Sequence, residues 1–254
     1  MRRALSFERK LSERISPRVR RFDGGVAFFN VDAPSIYDLN FLLVTAGLER
    51  GPSAPALAAH ADRVQGAAGL RHRQIRIQDA RLGRTLTPWF QRHGWKVTRL
   101  LWMSLTELRD GDETRRVDEV DVGEYTALAE ATTRAEPWGK DPEVVRGLNE
   151  KNRLLAELTG ARFFAVRRYN RLVSGCHLYS DGRTAQIEEV GTLERHRNRG
   201  LARAVVSAAA LAALEEACDL VFLVADDYDW PKNLYRKMGF EALGRTYQFL
   251  LTQA

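Results

Sequence analysis

One stretch of the sequence concentrates the residue types that hold an anion: Val190-Gly191-Thr192-Leu193-Glu194-Arg195-His196-Arg197-Asn198-Arg199-Gly200-Leu201-Ala202. It opens as a strand, turns through a basic loop and enters a helix built of Ala, Leu and Val. A helix start presents backbone N–H groups with no partner and roughly half a unit of positive charge. Arg197 and Arg199 add full charges at that end, which suits it to a pyrophosphate. Gly200 and the small Ala202 let the main chain approach such a ligand with no side chain between them. Two other phosphate-binding patterns are missing: there is no GxxxxGKS/T and no GxGxxG after a strand. The plain alternative is a solvated, Arg-rich turn beside an ordinary helix.

Glu188 and Glu189 sit side by side on the strand that leads into this loop. Because strand side chains alternate, one carboxylate is expected on the cleft side and the other opposite it. Glu189 shares its face with Ile187 and Gly191, and Glu188 shares its face with Val190 and Thr192. Each is a candidate general base and equally an ion-pair partner for an arginine. His177 reads as a satisfied strand residue, and no His pair has metal-ligand spacing, so no metal is expected. Cys176 and Cys218 form no CxxC pair and are expected as buried small hydrophobes.

An internal echo shows how the elements around these residues are arranged. Leu234-Tyr235-Arg236-Lys237-Met238-Gly239-Phe240 is matched earlier by Trp89-Phe90-Gln91-Arg92-His93-Gly94-Trp95, and a strand-like run follows each. In both, a helix ends at a glycine suited to the left-handed conformation, and an aromatic opens the strand. The preceding pieces echo as well. The first half offers strands at 36–44 and 73–78, helices at 55–64 and 82–92, and a strand at 96–103. The second offers strands at 185–193 and 220–224, helices at 201–217 and 230–238, and a last strand to 249. Ahead of that shared portion the second half adds a strand at 116–120, helices at 122–132 and 142–158, and a hairpin of 163–167 with 172–178. The polar stretch ELRDGDETR, 107–115, is the expected linker.

Composition narrows the class. The chain has 254 residues, of which 44% are hydrophobic and 28% charged, enough for a real core and a wet surface. No apolar run reaches the ~18–20 residues that span a membrane. The basic N-terminus, with Leu11, Ile15 and Val19 four apart, reads as an amphipathic helix without the apolar core of a signal peptide, so a cytoplasmic protein is expected. The net charge is +6, and arginines outnumber lysines 33 to 6. They are scattered, with no aromatic-interleaved basic stripe, which sets nucleic acid aside in favour of an Arg bias plus one anion site.

Arg197-Asn198-Arg199-Gly200-Leu201-Ala202 resembles the R/Q-x-x-G-x-G/A pyrophosphate loop of the GNAT superfamily of N-acetyltransferases, and 234–240 is similar to that family's LYxKxGF close. The resemblance covers about 116–250. It implies an α/β (α+β) fold of two GNAT-like mixed central sheets flanked by helices, the first copy reduced. The expected domains are 1–106, a degenerate copy with the basic helix, then the 107–115 linker, then 116–254. The first copy keeps the HGW ending, but its loop at 44–51 carries one basic residue, so it is expected to bind no cofactor.

The resemblance further implies acetyl-CoA as cosubstrate. Val190, Gly191 and Thr192 would lie along the pantetheine arm, and Arg197, Asn198, Arg199, Gly200, Leu201 and Ala202 would hold the pyrophosphate. Tyr235 would protonate the departing thiolate, since its ordinary pKa near ~10 is comparable to that of an alkyl thiol; as a core aromatic it would do neither. The family's frequent Asn seven positions before that tyrosine is Tyr228 here, and Asn233 is the nearby candidate for a cofactor contact. Glu189 or Glu188 would deprotonate the amine, and Trp138, Trp230 and the helix around 146–153 would shape the acceptor pocket. The expected activity is direct acetyl transfer, within a ternary complex, to a primary amine of a small molecule. The alternatives are a protein or peptide amine acceptor and a non-catalytic acyl-CoA-binding or regulatory module. Monomer and homodimer both stay open.

Overall fold

The computed structural model describes residues 1–47, 49–109 and 117–252. Helix α1 (Arg2–Ile15) buries Ala4, Phe7 and Ile15. It stops because Pro17 forces Ser16 into an extended conformation. Val19, expected on that helix, therefore lies in β1 (Arg18–Phe22), which forms a hairpin with β2 (Gly25–Phe29) that the sequence pattern did not reveal. The expected strand 36–44 is likewise cut short. A 3-10 turn, Tyr37–Leu39, precedes β3 (Phe41–Val44). The cause is Asn40, buried, whose Nδ2 donates to the carbonyls of Ala33 and Ile36 at 2.9 and 3.0 Å while Oδ1 accepts from the Asn30 N–H. Then come α2 (Ala54–Gly66), β4 (His72–Ile77), α3 (Ala80–Arg92) and β5 (Lys96–Leu105).

The second half follows the expected order: β6 (Val117–Val120), α4 (Val122–Ala135), α5 (Pro142–Thr159), β7 (Arg162–Arg168), β8 (Arg171–Ser180), β9 (Thr184–Thr192), α6 (Leu201–Glu215), β10 (Leu220–Asp226), α7 (Pro231–Lys237) and β11 (Phe240–Thr252). Helices α4 and α5 are both capped by aspartates, Asp121 and Asp141, whose carboxylates accept from the Glu124 and Glu143 N–H groups at 2.8 Å. Of the expected linker, 110–115 lies outside the described residues, as do Arg116 and Leu48 of the first half's loop.

The two expected sheets join into one of eleven strands, ordered β1-β2-β3-β4-β11-β5-β10-β9-β8-β7-β6. Two pairs are parallel, β3 with β4 and β9 with β10, and the others are antiparallel. The halves exchange their last strands. β11 inserts beside β4 of the first half, and β5 pairs with β10 of the second. Each half's core is completed by the other's strand. Tyr247 and Phe249 of β11 pack with α2 and α3, and Leu101 and Met103 of β5 pack with α6. Asp227, buried just past β10, locks the exchange by taking Arg99 of β5 at 2.7 Å and Arg245 of β11 at 2.6 Å. Trp102 Nε1 donates to Thr246 Oγ1 at 2.9 Å across the same junction.

Candidate active site

β9 and β10 pair only from Thr184↔Leu220 to Ile187↔Leu223. β9 then runs on to Thr192 and β10 to Asp226 with no pairing between them. The parted strands expose backbone donors and acceptors along a cleft of about 730 Å³. Val190, Gly191 and Thr192 line one side of it, Trp230, Leu234 and Tyr235 the other, and the start of α6 closes one end.

At that end, Asn198 and Gly200 both adopt left-handed conformations, with φ of +59° and +74°. Gly200 is the N-cap of α6, so no side chain satisfies the helix's first N–H groups, and its first turn carries no acid. Those donors, with the guanidinium of Arg197, form an anion cradle with its acceptor positions open. The loop is pinned from below: Leu193 N–H bonds Val173 O at 2.9 Å, Arg197 Nε bonds Thr192 O at 3.3 Å, and Ser174 Oγ bonds Gly191 O at 2.9 Å. Ala204, Val205, Ala209, Ala210 and Ala213 bury the inner face of α6, and such small residues bring the helix close to the sheet. These features fit a pyrophosphate.

The alternation expected of Glu188 and Glu189 does not hold. Between Gly175↔Gly191 and His177↔Glu188, Cys176 on β8 faces two residues of β9, Glu189 and Val190. Glu189 takes a φ of +54° in this bulge, a conformation rare outside glycine and concentrated at functional sites. The extra residue turns both carboxylates toward α5, where buried Lys151 bonds Glu189 Oε1 at 3.1 Å. Lys151 also reaches Asp38 Oδ2 of the first half at 3.5 Å, and Asp38 is paired in turn with Arg76 of β4.

This cluster splits the two acids. Lys151 outweighs burial and holds Glu189 below the usual carboxylate range. Burial, followed by the charge of Glu189, pushes Glu188 up to about 8. Burial opposes the charge on Lys151, but Glu189, Asp38 and Glu188 prevail and raise its pKa. Glu188 accepts from Gln186 Nε2 at 2.7 Å. Beside the pair, buried His177 accepts or donates at Nδ1 to the Tyr179 hydroxyl, 3.0 Å away, and burial lowers its pKa to about 4. His177 Nε2 and Gln186 Oε1 are buried with no hydrogen-bond partner among the described residues. Buried polar atoms ordinarily find a partner, so these two, beside an acid pair, are candidates to bind a water or a ligand.

Tyr235 lines the cleft with its ring otherwise buried, and burial raises its pKa. Arg197, Asn198, Gly200, Leu201 and Ala202 line the cleft with Val190, Gly191 and Thr192. Four expected residues lie outside that lining. Arg199 faces a neighbouring concavity; Asn233 is exposed and accepts from Arg236 at 3.1 Å; and the glutamates lie on the α5 side of the sheet. Tyr228, at the family's Asn position, is exposed beneath the Arg99 guanidinium, 4.4 Å from its ring centre. Lys151 and Asp38 escaped the sequence reading. A lysine buried at the inward stripe of α5 is the signal that could have marked the first.

Residues 124–240 match the sequence profile described as the Acetyltransferase (GNAT) family. No curated protein matches the chain. Among solved structures, a functionally unknown conserved protein from Staphylococcus epidermidis superimposes with a TM-score of 0.72 at 13% identity, covering 92% of this chain and 93% of its own. A GCN5-related N-acetyltransferase from Kribbella flavida gives 0.63 at 17%, covering 95% and 94%. A tandem GNAT protein from the clavulanic acid biosynthesis pathway gives 0.53 at 14%, covering 94% and 85%. These likenesses span both halves and establish the fold.

Proposed function

We propose that this chain, whose residues 124–240 match the Acetyltransferase (GNAT) family, moves an acetyl group from acetyl-CoA to a primary amine of a small molecule, in one ternary complex. The observation that carries this reading is the parting of β9 from β10 beyond Ile187 and Leu223, directly onto the uncapped start of α6. Acetyl-CoA would supply the thioester. The open edges of β9 and β10 would hold its pantetheine arm as an added strand, and the α6 cradle with Arg197 its pyrophosphate.

The chain's own groups divide the proton work. An alkylammonium must lose a proton before it attacks, and a base acts best when its pKa lies near the working pH. Glu188, at about 8, suits that role better than Glu189, which Lys151 keeps ionised. Glu189 would hold the incoming ammonium by charge. The orphaned His177 Nε2 and Gln186 Oε1 would anchor the water that carries the proton to Glu188. Within the cleft itself, the Tyr235 hydroxyl would return a proton to the leaving thiolate; its raised pKa keeps it protonated until then. Trp230 and Trp138, both exposed, would border the acceptor's entry.

The test is an amine panel with acetyl-CoA and free-thiol detection. Wild type is expected to release thiol with at least one small amine. Tyr235→Phe should lower turnover by about 10- to 100-fold with acetyl-CoA affinity unchanged. Tight acetyl-CoA binding with no turnover on any amine, peptide amines included, would instead make the protein a binding module.

A further inference from the structure

A second concave surface, of about 440 Å³, adjoins the cofactor cleft and shares His196 with it. Four arginines line it, Arg168, Arg171, Arg195 and Arg199, together with Tyr169. No acid is among the lining residues, and none of the four guanidinium groups has an ion pair or hydrogen bond among the described residues. Elsewhere on this domain the pattern is the reverse. Arg153, Arg162 and Arg167 are each held by two carboxylates.

The fold brings the four charges together deliberately. Tyr169 and Asn170, with φ of +48° and +61°, make the tight left-handed turn between β7 and β8. That turn sets Arg168 directly opposite Arg171 on the hairpin. Like charges in that position repel and destabilise the pair. The basic loop before α6 then adds Arg195 and Arg199 to the same hollow. The field they create reaches His196, whose pKa is lowered first by desolvation and then by Arg195, Arg199 and Arg168. Tyr169 at the tip of the turn is 99% exposed, an aromatic face with nothing upon it. Uncompensated repulsion, a concave shape and an exposed ring call for a ligand that combines a concentrated negative charge with a planar group.

We propose that this hollow binds the 3′-phosphate of coenzyme A, with Tyr169 stacking on the adenine. The inference rests on the reading that acetyl-CoA occupies the adjoining cleft, and it adds a subsite that discriminates the cofactor by a group remote from the chemistry. A phosphate monoester carries close to two charges at neutral pH and three acceptor oxygens, which matches a compact set of guanidinium donors. A nucleic-acid track would need the charge to continue along the surface, and here it ends where the paired arginines begin.

Calorimetric titration of the full chain with coenzyme A and with 3′-dephospho-coenzyme A separates the possibilities. Wild type should bind coenzyme A about 10- to 30-fold more tightly, the preference shrinking as salt rises. The double variant Arg168→Ser/Arg171→Ser should bind coenzyme A only as well as wild type binds the dephospho form, and should bind the dephospho form unchanged. Equal wild-type affinities would overturn the proposal while leaving acetyl-CoA binding in place. So would a double variant that loses affinity for both ligands alike, because that marks a general field. If wild type bound neither ligand, the acetyl-CoA reading would itself fall and take this subsite with it. Should the double variant not fold, the wild-type ratio decides alone.

Discussion

The two halves of the chain build the same strand-helix-strand unit and satisfy its helix start in opposite ways. In the first half Ser53 caps α2 and accepts the Ala56 N–H at 3.4 Å, with a proline in the first turn. β3 stays paired with β4 to its last residue, Val44↔Ile77, and Gln78 N–H closes onto Val44 O at 3.1 Å. In the second half Gly200 leaves the first N–H groups of α6 without a side-chain acceptor, and the last three residues of β10 and the last five of β9 run on unpaired with each other, which opens the cleft between them. The first copy's helix start and strand ends are thus already hydrogen-bonded within the chain, in line with our proposal that only the second copy takes the cofactor. The second leaves both open, where the proposed cofactor would set its pyrophosphate and its extended arm. The first half is nevertheless not inert, because it lends β5 to the second half's core and Asp38 to Lys151.

The largest break of this comparison would be to separate the halves. Residues 1–109 expressed alone lack β11, and with it Tyr247 and Phe249 from their core. Losing two buried aromatics at about 3–5 kcal/mol each matches the whole stability of a typical domain, so no cooperative unfolding transition is expected by circular dichroism. A folded fragment would show that the strand exchange is dispensable.

Charge at the helix starts is the next lever. Ala202→Glu places an acid in the first turn of α6, which favours the helix but opposes a pyrophosphate. Acetyl-CoA affinity should fall at least about 100-fold with the melting temperature unchanged or higher. The matching Ala56→Glu in α2 should leave affinity as it was.

A smaller effect sharpens the roles of the acids. Turnover should rise with pH through about 8 as Glu188 ionises, and Glu188→Gln should flatten that limb. Stability has the opposite sign. A carboxyl whose folded pKa lies above its ordinary value contributes stability that is full at low pH and is lost as pH rises through about 8. Glu188→Gln should therefore be the more stable form at pH 9, read by urea denaturation. The smallest effect is expected of Asp38→Asn, a half-exposed partner of Lys151, at about 1 kcal/mol of stability.

The sequence made the second half legible wherever the signal is local. The loop at 190–202, the α7–β11 close and the order of elements all follow from turn residues, glycines and periodicity, and the structure places them as read. It failed wherever a residue far along the chain decides. Strand periodicity predicts opposite faces for Glu188 and Glu189, but the β9 bulge turns both toward α5. Nothing in the pattern of β5 or β11 names its partner, so the exchange was invisible. Lys151 reads as one more charge on a mixed helix until the packing of α5 on the sheet buries it between acids of both halves. Asp38 sat in an expected strand that Asn40 turns into a loop.

We propose that one half of this fold binds acetyl-CoA while the other binds none. Calorimetric titration of the full chain with acetyl-CoA decides it: a single site per chain is expected, lost in Ala202→Glu and kept in Ala56→Glu. Two sites per chain, or loss of binding in Ala56→Glu alone, would contradict it.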